Sequence, residues 1–114
     1  MPNHYRHFWG PQQSNVFNFQ WDIIKHDSFV VITASEGPGY DVGPAPQRFV
    51  GKAFFEVHSV SPHDGGVTFW VVMNEFNVIQ FGDGAAVVVV PWTSPLNLWT
   101  DITVFDASDN WGQN

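Results

Sequence analysis

The clearest candidates for ligand chemistry are tryptophans with polar side chains beside them. The segment Pro91 to Asp101 contains Trp92, Asn97 and Trp99. An indole ring costs little conformational entropy to present, and its face can pack against the C–H face of a sugar ring. Amide and carboxylate oxygens can accept hydrogen bonds from the sugar hydroxyls. The segment therefore predicts a site for neutral carbohydrate, with Trp92 and Trp99 as stacking platforms and Asn97 and Asp101 as hydroxyl acceptors.

A second pair, Trp70 and Asn74, supports the same prediction. Trp70 alternates with Phe69 and Val71, so in a strand it lies on the face opposite to theirs. The chain has six Trp, which is more than a small sandwich core is expected to hold. The surplus indoles predict a ligand surface. Two other uses remain open, since Trp residues can also close the ends of a sandwich or fill contacts between subunits of an assembly.

Two histidines suggest a different chemistry. His58 and His63 flank a predicted hairpin, with Asp64 beside them, and three such ligands could hold a divalent metal in a small β-barrel enzyme. Their spacing matches no metal signature, and polar residues are also expected at a strand end and a turn. The sequence therefore predicts no metal and no cofactor, with this triad as an alternative.

The other catalytic patterns are weak. Glycoside hydrolysis needs two carboxylates across a cleft, and Glu56 and Asp101 would qualify only if the fold brought them together. The sequence contains no Gly-x-Ser-x-Gly elbow and no Gly-x-Gly-x-x-Gly loop. We therefore expect a non-catalytic binding module rather than an enzyme, with a structural or assembly subunit of a homo-oligomeric complex as the alternative.

Charge limits the partners of the chain. Its 114 residues carry a formal net charge of −7 with only four Lys and Arg. Nucleic-acid binding depends on cations that neutralise phosphates, so that partner is not expected. The first 15 residues contain no apolar stretch, so no signal peptide is expected. The longest apolar run, Ala85 to Trp92, is far shorter than the ~20 residues of a membrane helix, so no membrane insertion is expected. The compartment is left open, and there are no Cys.

Val, Phe and Trp fill the apolar positions, whereas Leu occurs only at Leu96 and Leu98. Such β-branched and aromatic residues favour strands over helices. Alternating patterns and turn signals predict one antiparallel β-sandwich domain, residues 1–114, of about six to seven strands. An irregular arm is predicted over 1–15 and a polar tail over 107–114. Strands are predicted over 16–24, 29–34, 49–60, 67–73, 85–90 and 98–106.

Two strands carry further information. In the first, Phe17, Phe19, Trp21 and Ile23 are predicted to point towards the core, because they occupy alternate positions. The strand from Ala85 to Val90 is apolar on both faces, so it is predicted to be central or to have one face covered by a partner chain. Since a single sugar site binds weakly, useful affinity needs several copies, and this strand is the candidate interface of a homo-oligomer.

The middle of the chain resembles an H-type lectin domain. The resemblance covers about residues 29–74 and depends on Phe29 to Ile32, on Val57 to Pro62 before a turn, and on Val67 to Trp70. It implies a small antiparallel β-sandwich that trimerises and binds galactose-type sugars, often N-acetylgalactosamine. The aromatic–His pair of that family is absent, because Val71 to Asn74 follow Trp70. The resemblance therefore implies the fold and not the sugar specificity.

Overall fold

A computed structural model describes residues 2–39 and 47–105. These residues form seven strands in two antiparallel sheets, which confirms the predicted all-β sandwich. The strands are β1 (Asn3–Gln12), β2 (Asn15–Gln20), β3 (Phe29–Glu36), β4 (Phe54–His63), β5 (Gly66–Phe81), β6 (Gly84–Pro91) and β7 (Leu96–Phe105).

The first sheet has three strands in the order β1-β7-β3, so the last strand lies in its centre. Asp101 on β7 is paired with Arg6 on β1 and with Thr33 on β3. Directly opposed residues of antiparallel strands point to the same face. The register therefore places these three side chains side by side on the outer face of this sheet.

The second sheet is organised around β5, the longest strand. The first half of β5 lies between β2 and β4, and its second half pairs with β6 in a hairpin. Asn74 is paired with Phe54 on β4 and with Pro91 on β6, so β6 lies on the same side of β5 as β2. Between these two strands, the Ser14 hydroxyl accepts a hydrogen bond of 2.7 Å from the Met73 N–H. A side chain thus bridges the gap in the ladder.

The core lies between the two sheets. It is built from alternate residues of β5 and β7, which face each other across the sandwich and are completely or almost completely buried: Val67, Phe69, Val71, Met73, Leu98, Ile102 and Val104. Phe17 and Phe19 on β2 are also buried, as predicted. Trp21 and Ile23 lie beyond the end of β2, and Ile23 is exposed rather than inward-facing.

Trp9 on β1 adds a polar contact inside the sandwich, since its Nε1 donates a hydrogen bond of 2.8 Å to Thr100 Oγ1. Thr100 is completely buried. The prediction of an irregular N-terminal arm is therefore wrong, because β1 occupies that segment and carries residues that pack on the core. The Gly and Pro residues of β1 interrupt the alternation of apolar and polar residues that would otherwise predict a strand. Gly10 has φ 79° and accompanies a bulge at Phe8/Gly10.

The strand predicted over Ala85 to Val90 forms, but it is not central. Among the described residues β6 pairs only with β5, so its apolar residues lie on a projecting hairpin. The Cα radius of gyration is 17.1 Å, whereas a compact domain of this length has about 13 Å. The predicted polar tail and Trp111 lie outside the described residues. No helix in the described part of the chain has the length and apolar character to span a membrane.

Candidate functional site

Trp99, the first predicted stacking platform, is enclosed. It is only 5% exposed, and its Nε1 donates a hydrogen bond of 2.8 Å to the Pro38 carbonyl. The Phe8 ring lies on it with 4.7 Å between the ring centroids. A Cβ added at Gly37 would overlap the indole, so glycine allows this segment to cover the ring. Trp99 is therefore not an open platform, because the chain after β3 covers it.

Asp101, the predicted hydroxyl acceptor, is already saturated by cationic groups. Its carboxylate accepts hydrogen bonds from Arg6 Nε (2.7 Å) and Arg6 Nη2 (3.1 Å) and one from Arg48 Nη1, and His4 Nε2 lies 3.0 Å from Oδ1. Burial opposes ionisation of Asp101, but the hydrogen bonds from the two arginines outweigh it and lower the pKa of the carboxyl to about 2. The carboxylate fixes β1 and the segment around Arg48 to β7.

Arg48 extends this network to β3. It donates to Ser35 Oγ through Nε and to Thr33 Oγ1 through Nη1, the latter at 2.8 Å. Beside it lies an open hollow of about 460 Å³, lined by Ser35, Gln47, Arg48, Phe49 and Val50. Nothing in the sequence indicated this network, because its two arginines are 42 residues apart and meet only because β1 and β3 both pair with β7.

Trp92 and Asn97 do not complete a site with Trp99. Trp92 is partly buried against the core, and its backbone N–H donates to the Met73 carbonyl at 3.0 Å. Its Nε1 is buried and has no hydrogen-bond partner in the described residues. Asn97 is half-buried, and its backbone carbonyl accepts a hydrogen bond from the Gly37 N–H. The segment Pro91 to Asp101 therefore has mainly structural contacts, because it packs Trp92 against the core and begins the central strand β7.

The predicted metal ligands make separate contacts. His58 Nε2 lies 2.9 Å from Glu56 Oε1, and Asp64 Oδ1 lies 3.0 Å from His26 Nδ1. His63 hydrogen-bonds to neither pair. No group of three His, Asp or Glu residues within the described ranges could hold a metal ion. The triad of His58, His63 and Asp64 is therefore not brought together.

The two carboxylates considered for glycoside hydrolysis also lie apart. Glu56 is on β4 and pairs with Val72, on the outer face of the four-stranded sheet. Asp101 is on the outer face of the three-stranded sheet. The core of the sandwich separates the two carboxylates, so they cannot flank one glycosidic bond.

Trp70 is the predicted site residue that the structure leaves open. It lies near the middle of β5, and its side chain is on the outer face of the four-stranded sheet, because Phe69 and Val71 face the core. Trp70 is 51% exposed, and its cross-strand neighbours are Val16 and His58. Alternation had already placed this indole opposite to the core.

Polar side chains surround this indole on the same face. Asn18 Oδ1 lies 3.2 Å from both Thr68 Oγ1 and His63 Nε2, on one side of Trp70. On the other side, Asn74 is four residues along β5, about 13 Å away at the rise of a strand. We call this surface the Trp70 face, and it consists of Asn18, Glu56, His58, His63, Thr68, Trp70 and Asn74.

The Trp70 face combines one open aromatic ring with hydrogen-bonding side chains and a single carboxylate. It contains no Lys or Arg. Comparison of the chain with family models, with curated proteins and with solved structures finds no match.

Proposed function

We propose that this chain is a non-catalytic binding module and that its Trp70 face recognises neutral carbohydrate. The observation that supports this proposal is the half-exposed indole of Trp70 at the centre of a sheet face. A sugar ring placed over the indole would gain apolar contact through its C–H groups. The flat outer face suits an extended oligosaccharide that lies along β5 better than a ligand that needs a deep pocket.

The polar members of the Trp70 face supply the directional contacts. The side chain of Asn74 offers both an amide donor and a carbonyl acceptor, and Glu56 offers an acceptor beside His58. Hydroxyl groups of a sugar can donate and accept, so they match such a mixture. Because the face has a carboxylate and no Lys or Arg, it favours a neutral ligand over an anionic one.

The proposal is tested by replacing the platform. Trp70→Ala, Trp70→Phe and the wild type are each titrated with a panel of neutral oligosaccharides, and binding is measured by isothermal titration calorimetry. Trp70→Ala is expected to weaken binding by about 2- to 13-fold, because an aromatic contact contributes about 0.5–1.5 kcal/mol beyond simple area burial. Trp70→Phe is expected to lose less, since a smaller ring remains.

Phe29→Ala is the matched control. Phe29 is also an exposed aromatic residue, but it lies on β3 in the other sheet, away from the Trp70 face and from the hairpin of β5 and β6. Its replacement should leave the affinity unchanged. A wild-type protein that binds none of the panel would overturn the proposal, as would a Trp70→Ala variant with undiminished affinity.

A second candidate function, a structural subunit of a homo-oligomeric complex, is favoured by a different observation. Six of the fourteen large apolar side chains exposed among the described residues lie on the short hairpin of β5 and β6, which begins at Asn74 and ends at Pro91. A site for sugar and a contact between subunits occupy different parts of β5, so the two functions are compatible.

A further inference from the structure

A pair of phenylalanine rings lies on the same sheet face as Trp70. Phe76 is on β5 and Phe54 is on β4, and their ring centroids are 4.7 Å apart with 26° between the ring planes. This separation falls within the range of an offset stack between aromatic side chains. Phe76 is 63% exposed. We call these two residues the Phe76 platform, because the Phe76 ring is open to solvent and the Phe54 ring packs against it.

The register places the Phe76 platform on the outer face of the four-stranded sheet. Met73 is completely buried in the core, so Asn74 and Phe76, one and three positions further along β5, point away from the core. Phe54 is paired with Asn74, and directly opposed residues share a face. Since β5 pairs with β6 at every residue from Asn74 to Phe81, the outer face continues without a break into the hairpin of β5 and β6.

The spacing of Trp70 and Phe76 sets the size of a ligand that contacts both. Six residues of a strand rise about 20 Å, which is far longer than one sugar ring. The outer-face positions between the two aromatic residues are Val72 and Asn74, and Val72 is paired with Glu56 on β4. An apolar side chain, an amide and a carboxylate therefore line the path between the two rings. A ligand that covers this path must be an extended chain of several sugar units.

The chemistry of this path favours a neutral sugar chain as its occupant. Residues 67–78 contain no Lys or Arg, so an anionic ligand would meet Glu56 without a compensating cation from this part of β5. A purely apolar partner would cover Asn74 and Glu56 without offering hydrogen bonds, and burial of polar groups in that way costs free energy. Sugar hydroxyls can pair with both side chains, while the C–H faces of the sugar rings contact the aromatic residues.

We propose that the ligand of this protein is a linear neutral oligosaccharide that spans both platforms, with one sugar ring stacked on Trp70 and another on Phe76. This inference rests on the proposed function of the Trp70 face, and it identifies the ligand as an extended chain. The sugar units between the two rings contact Val72, Asn74 and Glu56. Because both stacked rings belong to one molecule, the second contact adds affinity without a second loss of translational and rotational freedom.

The surroundings of Phe76 suit it to this contact. Its ring already packs against Phe54, and a side chain that is ordered before binding loses less rotamer freedom when the ligand arrives. Val89 on β6 is paired with Phe76 and is also exposed, so it widens the apolar surface beside the ring. Ile79 and Phe81 lie on the opposite face of the hairpin. They stay outside the sugar path and are available to a contact between subunits.

The first test measures affinity as a function of ligand length. The probes are β-1,4-linked homo-oligomers of glucose, mannose, xylose and galactose, each from the monosaccharide to the hexasaccharide, and binding is measured by isothermal titration calorimetry. For the series that binds, the affinity of the wild type should rise by about 2- to 13-fold at the length that reaches Phe76, because that is the contribution of one aromatic contact. Shorter oligomers should bind at Trp70 alone.

Single substitutions then assign the rise in affinity to the Phe76 ring. Phe76→Leu keeps an apolar side chain but removes the ring, so it should bind short oligomers as the wild type does and lose the rise. Phe76→Tyr retains a ring and should retain the rise. Phe81→Leu is the matched control, because Phe81 is 59% exposed on the same strand but lies on the opposite face. It should leave the affinities for short and long oligomers unchanged.

The outcomes separate this inference from the proposed function of the Trp70 face. Affinity that stays constant with ligand length, in a protein whose sugar binding is weakened by Trp70→Ala, overturns the extended site and leaves the proposed function standing. A rise that survives Phe76→Leu, or one that Phe81→Leu abolishes as well, also overturns the extended site alone. A wild type that binds no oligomer, or binding that is unchanged in Trp70→Ala, overturns the proposed function and this inference with it.

Discussion

Replacing Trp99 and Trp92 by Phe, one at a time, removes the same atoms from two different environments. The indole N–H of Trp99 donates to the Pro38 carbonyl at 2.8 Å. The indole N–H of Trp92 is buried without a partner in the described residues. The two variants therefore form a matched pair that loses similar apolar contact. Trp99→Phe also loses a hydrogen bond, whereas Trp92→Phe removes an unpaired buried N–H, so the polar changes in the free energy of unfolding have opposite signs.

The expected magnitudes follow from these environments. Loss of part of an indole from packed surroundings costs about 1–2 kcal/mol in either variant. Trp99→Phe also loses a hydrogen bond worth about 1 kcal/mol, for a total of ~2–3 kcal/mol. Trp92→Phe instead removes a buried donor whose desolvation costs about 1–3 kcal/mol, so its net effect is close to zero. The two variants should differ by ~2 kcal/mol, or about 8 °C in Tm.

The measurement is urea and thermal unfolding followed by far-ultraviolet circular dichroism, which does not depend on Trp fluorescence. Binding of oligosaccharide is measured in parallel and should be unchanged in both variants, because neither indole belongs to the Trp70 face. Equal destabilisation of the two variants would refute the argument about the N–H groups. Loss of sugar binding in Trp99→Phe, with the fold intact, would refute the assignment of that indole to a structural role.

Three further predictions concern charge and packing. The pKa of Asp101 is lowered to about 2, so its stabilisation is present above the unfolded-state pKa of about 3.9 and is lost as the pH falls to 2. Asp101→Asn should therefore be about 1–2 kcal/mol less stable than the wild type at pH 7, a value that allows for partial solvent screening. Near pH 2 the two proteins should be equally stable. Urea unfolding at both pH values measures the difference. Burial lowers the pKa of His7, so the unfolded chain takes up a proton first and native stability falls as the pH drops below about 6.5. His7→Phe should lose this pH dependence, which is measured as the unfolding midpoint between pH 7 and pH 5. An equal loss of stability in the variant and the wild type would contradict the reasoning. Gly37→Ala should destabilise by about 1–3 kcal/mol, because the new methyl group displaces the Trp99 ring, whereas Gly51→Ala, whose Cβ meets only a flexible carboxylate side chain, should be nearly neutral in the same unfolding assay.

The local pattern predicted the architecture because it carries the period of the strands. Phe17 and Phe19 alternate with polar residues, and the structure buries both of them. The alternation around Trp70 likewise predicted an outward indole. These features depend only on which face of a strand a residue occupies, and that is set by its position along the chain.

The sequence pattern did not predict the environment of residues that is set by contacts between distant segments of the chain. Trp99 lies on the outer face of its sheet, as alternation requires, but a neighbouring segment folds over it and buries it. Asp101 meets Arg6 only because β1 pairs with β7 in one register. The apolar pattern of β6 predicts either a central strand or a strand with one face covered by a partner chain, since nothing in its sequence distinguishes a strand enclosed by others from one that stands free. Such outcomes depend on pairings between distant parts of the chain.

The hairpin of β5 and β6 leaves the sandwich at the cross-strand pair of Asn74 and Pro91, where the pairing of β4 with β5 ends. Adding or deleting two residues in each of its strands would therefore change its reach by about 6.6 Å, keep every side chain on its own face and leave the body of the protein in register. Unequal changes would rotate one strand against the other and exchange its two faces. The hairpin can thus diverge in length between descendants of this chain, provided that its two strands change together, while the remainder of the fold is conserved.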